Sequence, residues 1–84
     1  MILAIDIGNS NVVIGCLNEK NEVVSQFRMV TDFKKTEDEY AAGMQAILIH
    51  NGIDGGSFDG AIICSVVPPL TDIFKIAVER ITGC

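Results

Sequence analysis

Basic residues are scarce: six lysines and arginines stand against eleven aspartates and glutamates, a formal net charge of −5. They form no cluster, so the footprint needed to neutralise a nucleic-acid backbone or to seat a basic helix on a membrane is missing. No apolar run reaches the length of a bilayer span, and Met1 leads into an apolar stretch without the basic start and cleavage site of a signal peptide. A cytosolic (cytoplasmic) chain with no nucleic-acid or membrane partner is expected. Three cysteines, Cys16, Cys64 and Cys84, are odd in number and lack metal-ligand spacing, which argues against a disulfide framework or a zinc site. Cys16 and Cys64 fall in apolar runs, where a free thiol is expected to be a small buried hydrophobe. Neither G-x-x-x-x-G-K-[ST] nor G-x-G-x-x-G occurs, so both common phosphate loops are absent.

What is present is one compact unit. The 84 residues are 49% hydrophobic and 20% charged, without a linker or low-complexity run, near the size at which a single core is only marginally stable. Ile2 to Ile7 is apolar on both faces, which predicts a central strand covered above and below. Asn11 to Leu17 and Val23 to Val30 follow as strands separated by the polar turn Asn18-Glu19-Lys20-Asn21. In the third strand Val23, Ser25, Phe27 and Met29 share one face, and Val24, Gln26, Arg28 and Val30 the other. Thr36 to Glu39 fits a capping box, so a helix starts there, carries Tyr40, Met44, Ile47 and Leu48 on one stripe, and stops at Asn51-Gly52. Gly43 weakens its interior. Ile53 to Asp59 reads as a loop and Ala61 to Val67 as a buried strand ended by Pro68-Pro69. A second helix carries Leu70, Ile73, Phe74, Ala77, Val78 and Ile81, with Gly83 as its cap. The order is βββαβα, an α/β fold whose mixed sheet pairs the first strand in parallel with Ala61–Val67.

Ligands of such sheets gather at the carboxyl ends of parallel strands, here Asp6-Ile7-Gly8 and Ser65-Val66-Val67. The turn Gly8-Asn9-Ser10-Asn11 offers amides and short polar side chains that can curl around an anion. Asp6 beside a phosphate is unfavourable unless Mg²⁺ or its water shell lies between them, so acid plus amide cradle points to a metal-nucleotide. The alternative is a plain hairpin turn with Asp6 as a turn former. Other candidates are weaker. His50 reads as a helix-end or surface residue, and Glu37, Asp38 and Glu39 as first-turn acids that favour the helix dipole. Ser65 lacks a nucleophile-elbow setting. Arg28 and Thr31 are in reach of a ligand at a strand end, but read as part of a solvated face.

Taken together, "AIDIGNSNVVIG" from Ala4, "RMVTDFKKTEDEYAAGM" from Arg28 and "IICSVVPPLTDIF" from Ile62 resemble, in order and spacing, the amino-terminal part of type III pantothenate kinases. Asp6 to Ser10 is shared more loosely with the acetate kinase, sugar kinase and actin superfamily. The resemblance implies a ribonuclease H-like domain, normally duplicated, with residues 1–84 as an incomplete amino-terminal ATP-phosphate-binding domain. It implies phosphorylation of pantothenate by ATP, the first step of coenzyme A synthesis, by a homodimer that needs Mg²⁺ and a monovalent cation such as K⁺ or NH₄⁺. Asp6, Ile7, Gly8, Asn9, Ser10, Asn11, Val12 and Val13 match the family's first phosphate-binding segment. Asp6 would orient the Mg²⁺-nucleotide and Gly8 to Asn11 would contact phosphate.

The departures are as informative. Ser10 stands where many members have Thr, and the family's catalytic Asp, second phosphate motif, cation ligands and most of its pantothenate pocket have no counterpart in these residues. No catalytic residue is therefore assigned, and the chain is expected to be an amino-terminal fragment or truncated copy, inactive alone. A further family strand would follow Gly83, so Ala61–Val67 is expected as an apolar edge prone to pair with another chain. Two other function classes share the same residues: a non-catalytic regulator like the Bvg accessory factors, and a folded interaction module without ligand.

Overall fold

A computed structural model describes residues 1–84. Strands β1 (Ile2–Ile7), β2 (Asn11–Leu17) and β3 (Val23–Val30) form an antiparallel meander, followed by helix α1 (Glu37–His50), strand β4 (Gly60–Ser65) and helix α2 (Pro68–Thr82). The sheet order is β3-β2-β1-β4, with β4 parallel to β1, so the mixed α/β sheet has the expected element order.

One face of the sheet is covered and the other is open. Strand alternation sends Leu3, Ile5 and Ile7 of β1 and Val12, Ile14 and Cys16 of β2 into a core shared with Tyr40, Met44 and Leu48 of α1 and Leu70, Phe74, Ala77 and Val78 of α2. Their neighbours Ala4, Val13 and Gly15 face outward and are only half-buried, and Asp6 is exposed. This corrects the reading of β1 as covered on both sides: it is central by pairing, yet only one of its faces carries a layer.

The β4 reading needs the same correction. The strand lies at the sheet edge, as expected, but it is shorter than Ala61–Val67 and has no fully buried residue, with Ile62 58% exposed. A continuous apolar run reports that both faces are apolar, not that both are covered. Cys64 is consequently exposed rather than a core hydrophobe, whereas Cys16 is fully buried and burial pushes its thiol up from the ordinary value. A thiol reagent is expected to label Cys64 and Cys84 rapidly in the native chain, and Cys16 only after denaturation. Rapid native labelling at all three, read by mass spectrometry, would contradict this packing.

Local chemistry explains the connections. Thr36 caps α1: its Oγ1 accepts from the Glu39 amide at 3.3 Å while Glu39 Oε1 accepts from the Thr36 amide at 3.1 Å. A Cβ at Gly43 would come within 2.9 Å of the terminal methyl of Met29, the flexible end of a side chain that can shift. In the 53–59 segment a short 3₁₀ turn, Gly55–Ser57, packs so tightly that a Cβ at Gly55 would run into the Ile81 carbonyl oxygen. A bulge between Cys16 and Leu17 places Val23 opposite Leu17, so Val23 turns to the open face instead of following Ser25 and Phe27. Helix α2 takes Val67 as its N-cap and Pro68-Pro69 as its first turn, and ends at Gly83 with φ of 75°.

Candidate functional site

The position of Asp6 follows from its neighbours. With Ile5 and Ile7 directed into the core, the residue between them must face the open side of the sheet, near the carboxyl end of β1. There it pairs across with Val13 of β2 and Cys64 of β4. Ala4, Asp6, Val13, Gly15, Gln26 and Cys64 are among the residues lining a shallow hollow of about 300 Å³. The ion pairs of the chain lie elsewhere, between the Met1 ammonium and Asp59 and between Arg80 and Asp38, which leaves the Asp6 carboxylate without a basic partner.

Immediately beyond lies the turn. The Gly8 amide donates to the Asn11 carbonyl at 2.9 Å, and a Cβ at Gly8 would stand 3.1 Å from that oxygen, so the close approach favours glycine. The amides of Asn9 and Ser10 have no backbone partner, and Asn9, Ser10 and Asn11 are exposed. Ile7 and Val12 lie in the same segment, but their side chains are in the core, so only their backbone faces this end. Val13 is half-buried beside Asp6 on the open face.

Strand β4 ends against the same turn. The Val66 amide donates to the Ile7 carbonyl at 3.1 Å, carrying the β1–β4 ladder one residue past Ser65. The Ser65 hydroxyl is occupied locally, accepting from the Val67 amide at 3.0 Å and donating to its carbonyl at 3.1 Å. With prolines at its first two positions, α2 lacks two of the amides that a helix start ordinarily presents, so the hairpin turn carries the free donors.

Thr31, expected on a solvated face, is instead engaged with the turn. Its hydroxyl donates to the Gly8 carbonyl at 2.7 Å and its amide donates to the Ser10 carbonyl at 3.0 Å. The next residue is held as firmly: the Tyr40 hydroxyl accepts from the Asp32 amide at 2.8 Å and donates to the Asp32 carbonyl at 2.7 Å. Arg28 remains exposed on β3, and His50 is exposed at the end of α1. Of the acidic residues at the start of α1, Glu39 serves the capping box and Asp38 pairs with Arg80.

No group of three or more His, Cys, Asp or Glu is placed to enclose a metal ion. A hard cation at Asp6 would take this one carboxylate and complete its shell with water and ligand oxygens, which is how Mg²⁺ is commonly held beside phosphates. The donor set fits that mode, and an amide-lined turn next to a free carboxylate suits an anion that brings its own cation.

Residues 2–84 match the type III pantothenate kinase family. The type III pantothenate kinase of Brevibacillus brevis is 43% identical over 83 residues, covering 99% of this chain and 31% of the relative. That of Bacillus cytotoxicus is 43% identical over 80 residues, covering 95% of this chain and 29% of the relative. That of Halalkalibacterium halodurans is 43% identical over 70 residues, covering 83% and 27%. The chain thus spans less than a third of the length of these curated relatives. With a match that runs through both strands of the Asp6 hairpin, both helices and the β4 end, the chain belongs to the type III pantothenate kinase family.

Proposed function

We propose that residues 1–84 are the ATP-phosphate-binding domain of a kinase that phosphorylates pantothenate, with Asp6 to Val13 as the segment that meets the nucleotide. The observation that carries this is the pairing of an exposed, unpartnered carboxylate at Asp6 with the free amides of Asn9 and Ser10 one turn further on. Pantothenate enters through the name of the relatives and ATP through the kinase chemistry that name describes.

In this reading Asp6 holds Mg²⁺, directly or through its water, and the ion supplies charge neutralisation at the phosphates when bound. The amides of Asn9 and Ser10 orient phosphate oxygens, and Gly8 permits their close approach. Ile7 and Val12 anchor the two strands in the core, which keeps the turn from shifting relative to Asp6. No residue of the chain is given the role of base toward the pantothenate hydroxyl, and none is given to a monovalent cation. Phosphoryl transfer depends on groups positioned from both sides of the reacting phosphate, so the isolated chain is expected to lack kinase activity. A homodimeric assembly and a cytoplasmic location belong to the same proposal; no helix is long and apolar enough to cross a membrane.

The test is an NMR titration of the ¹⁵N-labelled chain with Mg²⁺-ATP. Saturable amide shifts concentrated at Gly8 to Val13 are expected. Shifts absent there at millimolar nucleotide would reduce the segment to a hairpin turn.

A further inference from the structure

We infer that Thr31 is a positioning residue for the phosphate turn and that Tyr40 fixes Thr31 in place; the ligand side of this inference rests on the proposed phosphate-binding role of Asp6 to Val13. A two-residue hairpin turn ordinarily closes with a pair of backbone bonds between its flanking residues. Here only one is made, from the Gly8 amide to the Asn11 carbonyl. The Gly8 carbonyl accepts instead from the Thr31 hydroxyl at 2.7 Å. The Asn11 amide makes no bond to the Gly8 carbonyl.

Peptide planarity extends the effect. The Gly8 carbonyl and the Asn9 amide belong to one trans peptide unit and point in opposite directions, so fixing the oxygen fixes the direction of the N–H. The same holds for the Ser10 carbonyl, which accepts from the Thr31 amide at 3.0 Å, and the Asn11 amide. One residue just past β3 therefore sets the direction of two amides in the turn. Hydrogen bonds accepted by those carbonyls also polarise the peptide units and make their N–H groups better donors to an anion.

Thr31 has a rigid support. The hydroxyl of Tyr40 holds both backbone groups of Asp32, at 2.8 and 2.7 Å. Tyr40 is fully buried, and its ring lies 4.4 Å from that of Phe74, centroid to centroid. A chain of contacts thus runs from α2 through Phe74, Tyr40, Asp32 and Thr31 to the Gly8 carbonyl.

Three variants test this in the 84-residue chain: Thr31→Val, which keeps the branched shape and removes the hydroxyl, Thr31→Ser, which keeps the hydroxyl, and Tyr40→Phe. Mg²⁺-ATP affinity is read from amide shifts, with folding checked by the dispersion of the same spectra. Thr31→Val is expected to weaken binding about tenfold, the scale of one hydrogen bond, with Thr31→Ser within about twofold of the parent. Tyr40→Phe is expected to weaken binding about threefold with the core resonances unmoved. If the parent chain binds and Thr31→Val binds equally, the positioning role is overturned and the phosphate reading stands. Equal loss in Thr31→Val and Thr31→Ser overturns the role of the hydroxyl. A parent chain that does not bind overturns the phosphate reading itself.

Discussion

Replacing Phe74 with alanine is expected to remove most of the chain's stability. The side chain is fully buried and packs on Tyr40 at a tilt of 44°. Large-to-small changes at such aromatic positions cost about 3–5 kcal/mol, because the removed atoms lose their transfer energy and the walls cannot close the void. A domain of this size with one open sheet face has little in reserve, since small native domains are stable by only about 5 kcal/mol at the low end. Because Tyr40 also holds Asp32, the damage should spread from the helix pair to the segment after β3. Urea unfolding followed by circular dichroism measures the effect. A loss below about 1 kcal/mol would mean that α2 does not close the core as described.

The second large effect concerns binding and carries a reversal of sign. Asp6→Asn keeps the size of an exposed side chain and removes its charge, so stability should change by less than about 0.5 kcal/mol. Affinity for Mg²⁺-ATP should fall by about tenfold or more, since the substitution removes the one carboxylate placed to hold the cation. With ATP in excess chelator the same substitution should leave binding unchanged or strengthen it, because the carboxylate then only repels phosphate. Calorimetric titrations with and without Mg²⁺ make the comparison. Equal weakening in both conditions would show that Asp6 supports the turn structurally rather than through a metal.

Features encoded within a few residues were legible in the sequence. The Thr36–Glu39 capping box, the Gly83 stop and the alternation that isolates Asp6 between two core isoleucines all depend on neighbours along the chain. Features that depend on remote partners were not. Nothing near Thr31 announces a hydroxyl bond to Gly8, 23 residues away, because a threonine at a strand end has the same local pattern whether it is solvated or engaged. The exposure of Ile62 and Cys64 escaped for a related reason: strand periodicity tells which residues share a face, and coverage depends on what packs there. The bulge at Cys16 and Leu17 moved Val23 across the sheet, a shift of one residue that alternating hydrophobicity in β3 alone does not reveal.

Asp6 has one more consequence, which concerns misfolding. Strand β1 is apolar at every position except this one, so its hydrophobic pattern alone would tolerate a slide by a single residue against β2 and β4. Such a slide would turn the carboxylate into the core and strand a charge in an apolar interior, at a cost of several kcal/mol. The acid therefore penalises the mispaired sheet before any ligand arrives. An apolar substitution at this position would remove that penalty, and the variant would be drawn toward wrong alignments even though its correctly folded form gained nothing to clash with.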